Sequence, residues 1–129
     1  DEVMIVIVLP LPAPTMRLAF FKLGARRYLV ISIVMVAVGL DVVEGAVRDA
    51  RIAVGACSAV AQRLREAERR LVGAPAQPGL AGRITAHETE TLSPIDDLRA
   101  SGAYRRDAAL TLLKRAIEAC VAGQTGGVL

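Results

Sequence analysis

The first third of the chain is a series of apolar runs rich in Val and Ile, separated by proline, glycine and charged residues. Residues 3–9 form the first run and end at Pro10, whose missing amide hydrogen stops strand pairing. Residues 16–23 form the second run and end at Gly24. Residues 31–40 are apolar at nearly every position, so both faces of this strand are apolar and we expect it to be central in its sheet. The pattern predicts three strands.

A change to strict alternation marks a further strand. Ala50, Ile52 and Val54 share one face, and the charged residues Asp49 and Arg51 lie on the other. A glycine-containing turn precedes this strand. We therefore predict that residues 31–40 pair with the strand that includes residues 51–56 and form a hairpin. The rest of the chain is expected to pack against this hairpin.

Beyond residue 55 the composition changes to Ala, Leu, Arg and Glu, and apolar spacing predicts helices. Leu64, Ala67 and Leu71 lie on one face of a short first helix, which Gly73 and Pro75 end. A second helix is predicted from a set of residues at helical spacing, weakened by a glycine and ended before a proline: Leu80, Ile84, His87 and Thr91, with Gly82 and Pro94.

The last predicted helix has the clearest pattern. Ser101 is its expected N-cap, and Gly123 its expected stop. Four residues form its apolar stripe: Leu110, Leu113, Ile117 and Val121.

Strands followed by helices predict an α+β fold, in which an antiparallel sheet of three to four strands in the N-terminal half packs against about three helices in the C-terminal half. We expect residues 1–123 to form a single domain and residues 124–129, which are rich in glycine, to be a flexible tail. Because the chain begins at Asp1 and enters a strand-like run almost at once, we expect it to be part of something longer.

Composition narrows the possible functions. The chain is 53% hydrophobic and only 3% aromatic, which excludes a disordered polar chain and argues against stacking platforms for bases. The net charge of +3 comes from interspersed acidic and basic residues, so we predict no nucleic-acid partner. Residues 28–40 are too short an apolar run to span a membrane. Cys57 and Cys120 fit no metal-binding spacing and are expected to be buried reduced thiols, consistent with a cytoplasmic protein.

The candidate chemical groups are few. His87 is the single histidine and has no triad partner at a recognisable spacing, so we interpret it as a residue on a helix face. Asp96 and Asp97 are interpreted as turn and helix-start residues, in preference to a metal pair. Lys22 and the Arg26–Arg27 pair form a basic group at a strand end, which is either solvated or a site for an anion or electron-rich ring.

Two ordered segments carry a family resemblance. The first comprises residues 21–27, then Asp41, Gly45 and residues 47–55; the second comprises residues 93–101 and 104–106. In this order they resemble the C-terminal domain of the FAD-binding (medium) subunit of molybdenum hydroxylases, the family of carbon monoxide dehydrogenase and xanthine dehydrogenase. The opening, from Asp1 to Pro12, also resembles that family, so the resemblance covers nearly the whole chain.

The resemblance implies an electron-transfer oxidoreductase. FAD would relay electrons from iron-sulfur clusters to an external acceptor, and would be held mainly by N-terminal FAD-binding domains absent from this chain. The implied partners are those domains, the iron-sulfur subunit and the molybdenum subunit. This domain would cover part of the flavin and brace the subunit, and the isolated chain would not be catalytic.

By the same resemblance, Lys22 corresponds to a lysine near the flavin, where a fixed cation would stabilise the anionic reduced ring or the phosphates. Met4 corresponds to an apolar position against the isoalloxazine ring, although an ordinary core methionine is the preferred interpretation of this residue. The second segment implies structural roles: Arg99 and Tyr104 would anchor the last helix, and Asp97 would pair with an arginine. The alternative function is a non-catalytic assembly or protein-interaction module that pairs through its first apolar strand.

Overall fold

A computed structural model describes residues 3–26 and 30–128. It contains five strands, two α-helices and two short 3₁₀ turns, in the order β1 (Met16–Gly24), β2 (Ser32–Val43), β3 (Ala46–Gly55), β4 (Gln62–Arg63), α1 (Arg65–Leu71), the 3₁₀ turns Leu80–Arg83 and Ala86–Thr89, α2 (Gly102–Val121) and β5 (Gly126–Val128). The α+β prediction is confirmed, with two α-helices where about three were expected.

The predicted hairpin is the centre of the sheet. Strands β2 and β3 pair antiparallel, with Val38 opposite Ile52 and Val36 opposite Val54. Glu44 and Gly45, between the strands, both have positive φ, which two-residue hairpin turns of the right twist require and glycine adopts without strain. The hairpin prediction is therefore confirmed.

The strand order in the sheet is β4-β3-β2-β1-β5. All neighbouring pairs are antiparallel except β1 and β5, which are parallel. Strand β5 lies within residues 124–129, and its neighbour Thr125 accepts a hydrogen bond from the Phe20 amide at 2.9 Å. The chain end is thereby attached to the sheet.

Both α-helices pack on one face of the sheet, which we call the covered face. The side chains of alternate β2 residues enter the core there, as the position of β2 in the middle of the sheet predicts: Val34, Val36, Val38 and Leu40 are at most 2% exposed. From α2, Leu113 and Ile117 are fully buried in the same core cluster.

The two α-helices follow their predicted boundaries. The Ser101 side chain accepts a hydrogen bond from the Tyr104 amide, which confirms it as the N-cap of α2. Gly123 follows the helix with φ +72°, as a helix stop requires. Helix α1 ends just before Gly73. Among the described residues, no helix combines the length and apolar character needed to cross a membrane.

Two predicted elements are wrong. Residues 3–9 are not a strand in this structure, because none of its strands pairs with them, and their side chains are 69–90% exposed. The helix predicted over Leu80 to Thr91 is instead the two 3₁₀ turns. Gly82 weakens the first turn, and Thr85 starts the second with a capping box to Glu88, so the backbone restarts where a continuous helix was expected.

Candidate functional site

In the described part of the chain, no helix covers the second face of the sheet, which we call the open face. Strand β1 places Leu18, Phe20 and Lys22 there, because side chains two residues apart point to the same side. Their cross-strand partners on β2 are Gly39, Ala37 and Met35. Leu18 is 56% exposed and Phe20 46% exposed, so this face presents apolar surface to solvent.

Two glycines leave space on the open face that the side chains of neighbouring residues occupy. A Cβ atom at Gly39 would lie 3.0 Å from a Leu18 methyl group and 3.2 Å from the Met16 sulfur, and one at Gly55 would lie 2.9 Å from the Met35 methyl group. The long side chains therefore lie flat over backbone. Gly39 lies within β2.

A groove of about 820 Å³ runs along the open face. One wall is the segment from Pro10 to Ala13, and the floor includes Leu18, Phe20 and Ala37. Four charged residues also line the groove, namely Asp41, Asp49, Arg51 and Arg63. The groove can therefore make both apolar and polar contacts.

Lys22 lies on the open face and is half-buried. Its Nζ donates a hydrogen bond to the carbonyl oxygen of Val30 at 3.1 Å, which ties the end of β1 to the residues that lead into β2. Gly24 lies close to the same residue, since a Cβ there would be 2.6 Å from a Val30 methyl group. The cation is thus held in a defined position on the sheet.

Met4 is 78% exposed, in a segment without regular secondary structure. Neither Met4 nor Lys22 lines the groove, so the structure does not bring the two predicted cofactor contacts into one pocket. Of the basic group predicted with Lys22, Arg27 lies outside the described residues.

A buried carboxylate lies on the open face, and the sequence analysis did not identify it as such. Asp41 is 3% exposed and accepts hydrogen bonds from the Thr15 hydroxyl and from Nε and Nη2 of Arg48 at 2.8 and 2.6 Å. The Thr15 hydrogen bond, followed by that of Arg48, lowers the pKa of Asp41. An acidic residue directly after an apolar run was the available signal. This cluster fastens the chain before β1 to the hairpin.

A second missed residue, Arg105, closes the opposite end of the hairpin. Its side chain is buried and donates to the carbonyl oxygens of Ile33 at 2.8 Å and Ala56 at 3.2 Å, and to Asp97 at 2.9 Å. The predicted pairing of Asp97 with an arginine is confirmed, and Arg99 is a second partner at 2.8 Å. The Arg99 amide is the largest of several hydrogen-bond donors that hold the pKa of Asp97 far below its ordinary value.

The remaining candidates have structural surroundings. His87 is exposed and contacts Glu90 and Glu66. Cys57 and Cys120 are free and buried, as predicted, and burial raises the pKa of both thiols, that of Cys120 to about 11. In the described part of the chain, no group of three or more His, Cys, Asp or Glu side chains is placed to hold a metal ion.

The described residues fit a flavin only as one wall of its site. They supply a fixed ammonium group and exposed apolar side chains on the open face, which suit contact with an anionic ring. The sequence does not contain the glycine pattern of a dinucleotide-binding loop.

Comparisons with a known protein family and with solved structures support the same family assignment. Residues 19–120 match the family described as the CO dehydrogenase flavoprotein C-terminal domain. Quinoline 2-oxidoreductase from Pseudomonas putida 86 is similar with a TM-score of 0.78 and 29% identity, over 87% of this chain and 39% of that chain. Carbon monoxide dehydrogenase from Hydrogenophaga pseudoflava, in a form that lacks the Mo-pyranopterin moiety, gives a TM-score of 0.80 and 25% identity, over 91% and 40%.

The cyanide-inactivated form of a Cu,Mo-CO dehydrogenase shares the fold, with a TM-score of 0.80 at 24% identity over 89% of this chain and 40% of that chain. This chain therefore spans about 40% of the length of the solved chains that it resembles. No curated protein matches the sequence.

Proposed function

This chain belongs to the family of CO dehydrogenase flavoprotein C-terminal domains, and from that membership we propose that it covers part of the FAD in a molybdenum hydroxylase and braces the flavoprotein subunit. The observation that carries the proposal is the family match over residues 19–120. In this proposal the subunit relays electrons from iron-sulfur clusters to an external acceptor, in a cytoplasmic complex with an iron-sulfur subunit and a molybdenum subunit. FAD is held mainly by other domains, and the isolated chain is not catalytic.

Lys22 is the proposed flavin contact with the best structural support. Its ammonium group is held on the open face by the Val30 carbonyl and is only partly exposed to water. A positive charge fixed in such a place stabilises negative charge on a nearby ring without reorganising solvent. When bound, FAD supplies the electron-carrying chemistry; Lys22 would favour its reduced, anionic form. Met4 as an apolar contact of the ring stays a weaker proposal, because its side chain is exposed here.

The test compares Lys22→Met with Lys114→Met in the complete flavoprotein subunit. Lys114 lies on α2, on the covered side of the sheet, and is the one other lysine, so both variants remove a single lysine charge. We expect Lys22→Met to lower the flavin reduction potential by about 30 mV, equivalent to about 1.4 kcal/mol for two electrons, and Lys114→Met to leave it unchanged. Equal potentials in both variants would contradict the role of Lys22. A folded subunit without FAD would contradict the proposed function.

A second candidate function is a non-catalytic assembly module. The exposure of residues 3–9 favours it, because apolar runs of this kind pair with sheet edges of other molecules. The two functions differ in the requirement for FAD, which only the first predicts.

A further inference from the structure

The N-terminal run, residues 3–9, has no structural role within the described domain. Its seven side chains are 69–90% exposed, and they are followed by Leu11, which is 95% exposed. At roughly 60–120 Å² of apolar surface for each side chain, these eight side chains present roughly 500–950 Å², which lies at or above the upper part of the roughly 300–600 Å² range for the largest apolar patch on a typical monomer. An apolar surface of this size needs to be buried against other polypeptide.

The composition of the N-terminal run specifies a strand with two covered faces. Five of its seven residues are Val or Ile, and it contains no charge, glycine or proline. Because the run does not alternate with polar residues, both of its faces are apolar, as in the centre of a sheet. It therefore needs a paired strand at its edge and packed layers on both faces.

The sheet of this domain does not provide that environment. The outer edge of β1 pairs with β5 over Phe20 to Lys22. The outer edge of β3 is occupied by β4 and by two backbone hydrogen bonds, in which the Val47 amide donates to the Ala74 carbonyl and the Gly73 amide donates to the Val47 carbonyl. Among the described residues, none forms a hydrogen bond with the N-terminal run. Among the described residues, the run is joined to the domain through the residues that follow it, where the Thr15 hydroxyl donates a hydrogen bond to Asp41.

We propose that the N-terminal run is a strand of the neighbouring flavin-binding part of the same subunit, and that it adds to the sheet there. The inference rests on the proposed function. The family match begins at residue 19 and so leaves the run outside the matched domain, while the solved relatives carry about 60% of their length outside the part that this chain covers. That additional polypeptide is the cover that the surface needs.

Hydrogen exchange tests the inference by comparing the 129-residue chain with the complete flavoprotein subunit separated from its other subunits. We expect the amides of residues 4–9 to exchange at least 100-fold more slowly in the subunit than in the chain. Leu98, 96% exposed in a loop, serves as an internal reference that exchanges equally in both. Protection already present in the dilute chain, protection that appears only as the chain is concentrated, or protection that requires the other subunits would each overturn the assignment.

Two lysine variants distinguish docking of the N-terminal run in the complete subunit from packing of the run against its own domain. Val6→Lys places a charge in the middle of the N-terminal run, and Leu98→Lys places one at another exposed apolar site, outside the run. In the 129-residue chain both variants should leave Tm unchanged; in the subunit only Val6→Lys should accelerate exchange of residues 4–9, by at least tenfold. A lower Tm of the Val6→Lys chain would show that the run packs on its own domain and would refute the inference. FAD content is measured separately: a protected run in a subunit without FAD refutes the proposed function alone.

Discussion

Two apolar runs of similar composition have opposite environments in this molecule. Residues 33–40, in β2, are paired on both edges by β1 and β3 and covered by α2, and Leu40 is fully buried. Residues 3–9 are also rich in Val and Ile, yet Leu9 is 81% exposed. The comparison shows that an apolar β-branched run predicts the capacity to form a central strand, whereas the supply of edges and covering layers decides where that strand forms.

The largest expected contrast comes from the same substitution in the two runs. Leu40→Ala removes buried side-chain atoms and leaves a cavity, so it should lower the free energy of unfolding of the chain by about 2–5 kcal/mol. Leu9→Ala should change it by less than about 0.5 kcal/mol, since the side chain contributes no buried contact. Chemical denaturation of the 129-residue chain measures both values. Comparable losses would mean that the N-terminal run packs against its own domain in solution.

Periodicity alone located much of the fold. The alternation through Ala50, Ile52 and Val54 identified a strand with one buried face, and Ser101 marked the start of α2, because these features depend on residues close in sequence. The exposure of residues 3–9 could not be predicted from the sequence, because the burial of this run depends on a partner that covers it. The 3₁₀ turns were missed because an apolar spacing of four residues persists through a backbone that glycine and a capping box interrupt.

The candidate site shows the same limit. The sequence could place Lys22 at a strand end. Its hydrogen bond to the Val30 carbonyl depends on where Val30 lies in the folded chain, which the local sequence does not specify. Arg105 could not be distinguished from its neighbour Arg106. Its partner carbonyl on Ile33 is 72 residues away, and nothing local indicates which arginine of a helix will be buried.

A smaller effect is expected from the buried arginine that fastens the hairpin to α2. Arg105→Met should lower the free energy of unfolding by about 3 kcal/mol, because it leaves the carbonyl oxygens of Ile33 and Ala56 unpaired in a buried site. Arg115→Met, at an exposed position of the same helix, is the matched control and should cost at most about 0.5 kcal/mol. If the two variants unfold at the same denaturant concentration, the buried network does not stabilise the fold.

The smallest predicted effect is a pH dependence at the other end of the hairpin. Hydrogen bonds from Thr15 and Arg48 lower the pKa of Asp41 in the folded state, so its contribution to stability is present above its unfolded pKa, about 3.9, and is lost as the pH falls toward the folded value. Thr15→Ala removes the hydrogen bond that contributes most to lowering the pKa of Asp41. We therefore expect this variant to be less stable than the parent chain at pH 7. The difference in their free energies of unfolding should shrink as the pH falls from about 5 to 2. Thr111→Ala, at an exposed position on α2, should show no such trend. A Thr15→Ala deficit that stays constant across this range would mean that the hydroxyl stabilises the fold without acting on the charge of Asp41.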